Sequence, residues 1–253
     1  MKKTLLIFLV IILFLVFIWQ NNNNPKIIIS RLVKKGAIGS GDLKYKVNLL
    51  GIIPSGDAVF TAEKTEDYKG TEVYHLNASV RPLKLYSGLF NGYAIVDSYV
   101  DARSLNPLLF KQKVKSPGKE KPEKEIFYDQ VKGVMTLDGV QRQILPDTQD
   151  PLSAIFNLRH MDLSKIKDIE MNINTNQKNY ILSGTVKERA ITIKKQLHKI
   201  AVIEAVIRRR DKDPYHKSNV TIVLLEGKEN IPVLIKVFAS GALISARLED
   251  IQK

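Results

Sequence analysis

Asp42-Leu43-Lys44-Tyr45-Lys46-Val47-Asn48-Leu49 is followed by Leu50-Gly51-Ile52-Ile53-Pro54-Ser55-Gly56, and then by Asp57-Ala58-Val59-Phe60-Thr61-Ala62-Glu63-Lys64. Leu43, Tyr45, Val47 and Leu49 take every second place, and Lys44, Lys46 and Asn48 fill the gaps. An extended chain turns successive side chains to opposite faces, so this pattern gives one apolar and one wet face. The stretch from Gly51 to Gly56, rich in glycine and proline, reads as a turn. Ala58, Phe60 and Ala62 then restart the alternation on a partner strand.

The same period runs outward along the chain. Tyr74, Leu76, Ala78 and Val80 share a face within residues 72–80, and residues 93–100 alternate again. Residues 108–115 and 125–130 flank Ser116-Pro117-Gly118-Lys119-Glu120-Lys121-Pro122, an exposed hairpin tip. Residues 134–137 and 140–145 surround Asp138-Gly139, a strong turn pair. Further strands are expected at 168–175, 178–188, 190–194, 199–207, 219–225, 232–239 and 242–250. Residues 81–89 are less regular and suit a helical turn. Residues 26–40, with Ile27-Ile28-Ile29 and Leu32-Val33, suit a short helix or a lead-in strand. The main helix is expected over 151–161. Asp150 can cap it, Pro151 suits its first position, and Leu152, Ile155, Phe156 and Leu158 give it an apolar face.

Short connections imply antiparallel neighbours, and so many strands must curl or close to protect their edges. The expected fold is mainly β: a curved antiparallel sheet, closed or half-closed as a barrel. One main short helix packs at its mouth or inner face, and an N-terminal transmembrane helix precedes the domain.

That last element rests on the start of the chain. Lys2 and Lys3 precede an unbroken apolar run from Leu5 to Ile18. Transfer of this run into a bilayer is favoured by roughly −4 to −8 kcal/mol. Leu5, Phe8, Ile12, Leu15 and Trp19 are the expected anchor positions. The run ends in Trp19-Gln20 and four asparagines, without the small residues that signal cleavage requires, so retention is expected. The expected division is an anchor and polar spacer over 1–25 and one β-rich extracytoplasmic domain over 26–253. This would be a single-pass protein of a bacterial inner membrane, its domain facing the periplasm or the cell exterior.

Composition narrows the chemistry. The chain has 253 residues, a net charge of +13 and no cysteine, which excludes disulfides, thiolate nucleophiles and cysteine-ligated zinc. The positive surface suits anionic partners, and the expected compartment argues against nucleic acid. Two basic clusters stand out. Lys111, Lys113 and Lys115 alternate on one strand face, and Arg208-Arg209-Arg210 stands at an expected turn. They read either as solvated tips or as contacts to anionic lipid head groups. The four histidines, at 75, 160, 198 and 216, have no metal-ligand spacing. Ser153 lacks the glycine-flanked setting of a nucleophile elbow, and Gly39-Ser40-Gly41 has no phosphate-loop lysine. Asp147, Asp150 and Asp162 bracket the helix, and capping with dipole stabilisation accounts for Asp147 and Asp150. Neither catalytic constellation nor cofactor is expected. The aromatics Tyr45, Phe60, Tyr74, Tyr86, Phe90, Tyr93 and Tyr99 read as core before ligand box.

Three sets of residues carry a resemblance. They are Leu43-Lys44-Tyr45-Lys46-Val47 with Leu50-Gly51-Ile52 and Gly56-Asp57-Ala58; Asp150-Pro151-Leu152-Ser153-Ala154 with Leu158-Arg159; and Ile231-Pro232-Val233 with Gly241-Ala242-Leu243 and Ala246-Arg247-Leu248. In that order they resemble the bacterial exported family DUF3108. A looser similarity, of fold only, is to the half-barrel lipoprotein carriers of the LolA and LolB type. The resemblance implies an exported β-rich domain and no reaction. Two expectations follow. One is a tethered, non-enzymatic binding protein for an apolar or lipid-like ligand. The other is a structural or assembly factor of the envelope, acting on a protein or polymer.

Overall fold

Alternation becomes pleated strands wherever the partner strand carries the same period, and here nearly the whole chain does. The computed structural model describes residues 24–35, 41–83, 93–116, 119–120, 122–175, 177–210 and 217–252. The strands are β1 (Asp42–Leu49), β2 (Ile53–Tyr68), β3 (Thr71–Pro82), β4 (Tyr93–Asp101), β5 (Pro107–Ser116), β6 (Lys119–Glu120), β7 (Lys124–Asp129), β8 (Val134–Leu137), β9 (Val140–Gln143), β10 (Asp168–Thr175), β11 (Lys178–Ile193), β12 (Gln196–Arg209), β13 (Lys217–Leu225), β14 (Ile231–Ala239) and β15 (Ala242–Gln252). They form one curved antiparallel sheet in the order β10-β11-β12-β13-β14-β15-β1-β2-β3-β4-β5-β7-β8-β9, with β6 beside β5. The first and last strands therefore pair in the middle of the sheet, Leu43 opposite Ile251.

The sheet does not close. β9 and β10 are its two outer strands, and the segment between them lies along the gap. Gln149 pairs with β10 by a parallel bridge, its N–H donating to the Asn172 carbonyl at 2.8 Å and its carbonyl accepting from the Asn174 N–H at 2.8 Å. Asn172 and Asn179 donate their amides to the Pro146 and Gln143 carbonyls, each at 2.9 Å. Pro146, the left-handed Asp147 (φ 53°) and Pro151 prevent this segment from extending β9 into a full ladder.

Several boundaries differ from the sequence reading. The first turn is only Leu50-Gly51-Ile52, with Leu50 and Gly51 at positive φ, and β2 starts at Ile53. Pro54 is accommodated because it sits beside a register shift between Val47 and Asn48. The expected strands 178–188 and 190–194 are one long strand, since Arg189 stays in register opposite Ile200. Of the two readings of residues 26–40, the short helix is the one observed, as α1 (Pro25–Lys35). Pro25 belongs to it rather than to a spacer, and the Asn24 side chain accepts from the Lys26 N–H at 3.0 Å. Residues 1–23, and with them the anchor positions Leu5, Phe8, Ile12, Leu15 and Trp19, lie outside the described residues. Among the described residues no helix is long and apolar enough to cross a membrane.

The main helix, α2 (Pro151–His160), is apolar on two sides and therefore buried between two groups of strands. Leu152 and Phe156 join a core cluster with Tyr45, Phe60, Leu76 and Val100. Ala154 and Leu158 join another with Met171, Leu182, Ile203 and Ile222. α1 inserts Ile28, Ile29 and Leu32 into the first cluster and packs against β11, β14 and β15.

Because all strand pairs are antiparallel, alternate turns share an end. The turns at 50–52, 138–139 and 240–241, the β5–β7 tip and the ends of β10 and β12 mark one end. The turns at 69–70, 102–106, 130–133, 194–195 and 226–230 mark the other, with the start of β1 and the end of β15. α1 sits at this second end, against Ile193, Leu225, Ile231 and Ile251.

A candidate ligand-binding mouth

Directly opposed residues in an antiparallel sheet share a face, so the registers of β2 to β8 define rows across the inner wall. Nearest the first end runs Ala58, Val80, Ala94 and Val114. Below it come Ala78, Val96, Gln112 and Lys124. Deeper still are Leu76, Ser98, Phe110, Ile126 and Leu137. The wall is aliphatic, with polar groups only at fixed points. It encloses a cavity of about 220 Å³ between Val96, Phe110, Ile126 and Leu137, floored by Leu152 of α2 and edged by Lys124 and Gln177. A second, more open hollow of about 320 Å³ lies beside it over Val47, Val80, Ala94 and Val114, with Arg81 and Lys115 at its rim. The lip between β15, β1 and β2 leaves Leu49, Leu50, Ile53 and Ile244 exposed.

A larger groove of about 1110 Å³ crosses β1–β3 and β15. Its charges are Lys44, Lys46 and Arg81 against Asp57, Glu249 and Asp250, and Lys46 already pairs with Asp57 at 2.5 Å. Charges so neutralised at a wet surface give little driving force. We therefore place the candidate site at the smaller, apolar-walled mouth.

The floor of the mouth is held by a buried carboxylate. Asp150 is fully buried and caps α2, accepting from the Leu152 N–H at 2.7 Å, the Ser153 N–H at 3.0 Å and the Ser98 hydroxyl at 2.5 Å. Ser153 completes the capping box by accepting from the Asp150 N–H at 2.9 Å. Burial pushes the Asp150 carboxyl above its ordinary pKa, against the pull of those hydrogen bonds. The Tyr128 hydroxyl is buried without a hydrogen-bond partner, and burial, with the Asp150 charge, pushes it well up. Asp147 is no cap: its carboxylate accepts from the Asn106 amide at 3.0 Å, and Asn106 in turn accepts from Gln149 at 2.7 Å. Asn157 of α2 donates to Gln149 at 3.0 Å, so this network locks the gap-filling segment to the helix. Asp162 pairs with Lys165 at 2.7 Å.

The two basic clusters reach the same end without meeting, because seven strands separate β5 from β12. Lys111 is tied to Glu125 at 2.7 Å, a hydrogen bond that raises its pKa, and Lys115 stands free of the wall at the rim. Arg208 and Arg209 lie in strand β12 rather than in a turn, because they remain paired with Ile181 and Tyr180. Arg210 donates to the Asn172 side chain at 3.0 Å. Lys113 points to the same side as Lys111 and Lys115.

The described histidines serve packing: His75 meets Asp97 at 2.9 Å and stacks on Tyr99, and His160 lies against Phe156. His198 belongs to β12, and His216 lies outside the described residues. Among the described residues no group of three or more His, Asp or Glu is arranged to hold a metal. Tyr45 and Phe60 are buried core, and the Tyr45 hydroxyl donates to the Pro232 carbonyl at 2.8 Å. Tyr74 packs on Phe156, and Tyr99 stacks outside on His75 and Tyr68. Tyr86 and Phe90 lie outside the described residues. The mouth is thus lined by Val80, which the sequence reading placed on a strand face only, and by Ala94, Val96 and Val114, which it did not name. Their signal was the alternation itself, once strand register is known.

The chain matches the model of the family described as Protein of unknown function (DUF3108) over residues 44–243. No curated protein matches it. Among solved structures it is similar to a β-barrel-like protein of the domain of unknown function DUF1849 from Brucella abortus. That similarity has a TM-score of 0.52 at 14% identity and covers 84% of this chain and 97% of that one. A likeness at this identity speaks to fold alone.

Proposed function

The chain belongs to the DUF3108 family, and on that premise we propose that it is a membrane-tethered, extracytoplasmic, non-enzymatic protein that binds an apolar or lipid-like ligand at the mouth of its half-barrel. One observation carries this reading: an aliphatic wall and an exposed apolar lip meet at one end of the sheet, with Arg81, Lys115 and Lys124 at the rim. Apolar walls with a few placed polar groups are how small-molecule sites are built. The cations would meet an acidic head group, and the wall would take the apolar end. In this reading the apolar run 5–18 is the tether, and the domain stands in the periplasm or outside the cell.

The 220 Å³ chamber equals about seven water-sized volumes of roughly 30 Å³. It therefore admits the end of an acyl chain rather than a whole lipid.

Native mass spectrometry of the full chain released from detergent micelles tests this. The wild type should keep an added mass matching one fatty acid or phospholipid. Val96→Trp with Ala94→Trp fills the wall without touching residues 1–25, and should lose that mass. Equal adducts in both, or a bare wild type, refute the reading. A second reading, an envelope assembly factor, draws on the unpaired edge of β9, whose four residues are all exposed. A bare wild type that cross-links to an envelope protein through β9 would favour it.

A further inference from the structure

We propose that the end of the barrel opposite the mouth rests on the surface of an anionic membrane, the same membrane that holds residues 5–18. The inference rests on reading that run as an anchor, and it assigns a lipid contact to the folded domain itself.

Chain continuity comes first. α1 begins at Pro25 and is fixed at the second end through Ile28, Ile29 and Leu32. Residues 19–23 link Ile18 to Asn24, and the six Cα–Cα steps between those two reach at most about 22 Å. β4, which runs from the mouth to the second end, has 9 residues, about 30 Å of strand, so the mouth lies beyond that reach while the second end lies within it.

The chemistry of the turns there is the second argument. Val131 is 98% exposed at the β7–β8 turn, beside Lys132. Leu197 is 66% exposed at the β11–β12 hairpin, close to Lys194 and Lys195. That hairpin projects: the last β12–β13 pair is Ile200 with Leu225, and β12 continues to Gln196, about 13 Å further. Lys194 and Lys195 both adopt positive φ, which makes a tight tip and leaves both side chains exposed. Lys132 is paired with Asp129 at 3.0 Å, so the charge offered at these tips comes from Lys194 and Lys195, and Glu229 is engaged by Arg159. Single aliphatic side chains on lysine-flanked tips suit the boundary of a bilayer carrying negative head groups. The mouth would then open away from the membrane, and Lys115 at its rim would face ligand rather than lipid.

The chain has no cysteine, so single labels are simple to place. Full-length Val131→Cys, Leu197→Cys and, at the mouth end, Val140→Cys would each carry an environment-sensitive dye. They would be reconstituted in vesicles of phosphatidylglycerol and phosphatidylcholine. Doxyl lipid should quench the labels at 131 and 197 and iodide should not, with the reverse at 140. Lys194→Gln with Lys195→Gln should lower the docking equilibrium constant at 197 by about fivefold per lysine on these vesicles, and leave it unchanged on pure phosphatidylcholine. If the chain floats with vesicles but 131 and 197 stay open to iodide, the docking is refuted and the tether stands. If the lipid quenches 140 instead, the orientation is reversed and the proposal fails. A chain that does not float refutes tether and docking together, and leaves the mouth to be judged by its own ligand assay.

Discussion

Removing the Asp150 carboxylate should unfasten α2 from the sheet, and the structure sets the size of the effect. Asp150→Ala deletes the acceptor for the Leu152 and Ser153 amides and for the fully buried Ser98 hydroxyl. Loss of an N-cap costs about 1–2 kcal/mol. A buried hydroxyl left without its acceptor adds about 1–2 kcal/mol. The total expected is about 2–4 kcal/mol. Asp150→Asn keeps one carbonyl oxygen for the amides and offers an N–H to Ser98, and should cost about 1 kcal/mol or less. The two variants also separate by pH. Burial raises the folded pKa of Asp150 above its unfolded value. The folded state thus holds this proton more tightly. The group's contribution to stability is fully present below the unfolded pKa and is lost as pH rises through the folded one. Other carboxylates, Asp101 and Glu204 among them, are lowered and act in the opposite sense, so only the difference between wild type and Asp150→Asn isolates Asp150. That difference should move against the wild type as pH climbs from about 4. Urea unfolding followed by far-ultraviolet circular dichroism across pH gives both numbers. A loss below about 1 kcal/mol in Asp150→Ala, or a wild-type advantage that grows with pH, would sink the argument.

Three further outcomes follow from the same packing. Glu229→Gln should cost more than Arg159→Met in urea unfolding, about 2–3 against 1–2 kcal/mol. The first strands the buried Arg159 guanidinium, whereas the second leaves a Glu229 that is 41% exposed. Gly184→Ala should lower the melting temperature by the equivalent of about 1–3 kcal/mol, because the new Cβ would lie 2.3 Å from the Glu204 carbonyl oxygen and 2.5 Å from the Ala205 Cα. Fatty-acid competition in native mass spectrometry should gain about fourfold per methylene, the equivalent of about 0.8 kcal/mol, up to roughly eight carbons. Beyond that the gain should flatten as the 220 Å³ chamber fills, and an unbroken rise to long chains would place the site elsewhere.

Residues 42–64 and the helix at 151–160 were legible because each rests on local chemistry: side-chain alternation in one, and an Asp–Pro start in the other. The residues around Pro54 were misread because a register shift, a property of the pair, lets proline into the strand. Asp147 was misassigned because its partner Asn106 is 41 residues away. The mouth was invisible for a similar reason. Val80, Ala94 and Val114 come from three strands, and only the registers that align them make a wall. Tyr45 and Phe60, read from the sequence as core before ligand box, are buried core.

The failure of the sheet to close bears on where a ligand can go. A closed barrel of this many strands would be wide, and its interior would need filling or would hold solvent. Here the chain leaves β9, turns at Pro146 and Asp147, and sends α2 into the interior with apolar groups on both sides. That insertion needs an entrance, and the gap between β9 and β10 supplies it, sealed afterwards by Gln149 and the asparagines of β10 and β11. Among the described residues, Phe156 and Leu158 of this helix are buried and fill the interior beside it. The 220 Å³ chamber lies above the helix N-terminus, between Leu152 and the rim. The gap thus accounts for both the filled core and the small mouth, and a ligand that entered deeper would have to displace α2, breaking the Asp150 cap on which the fold of that half depends.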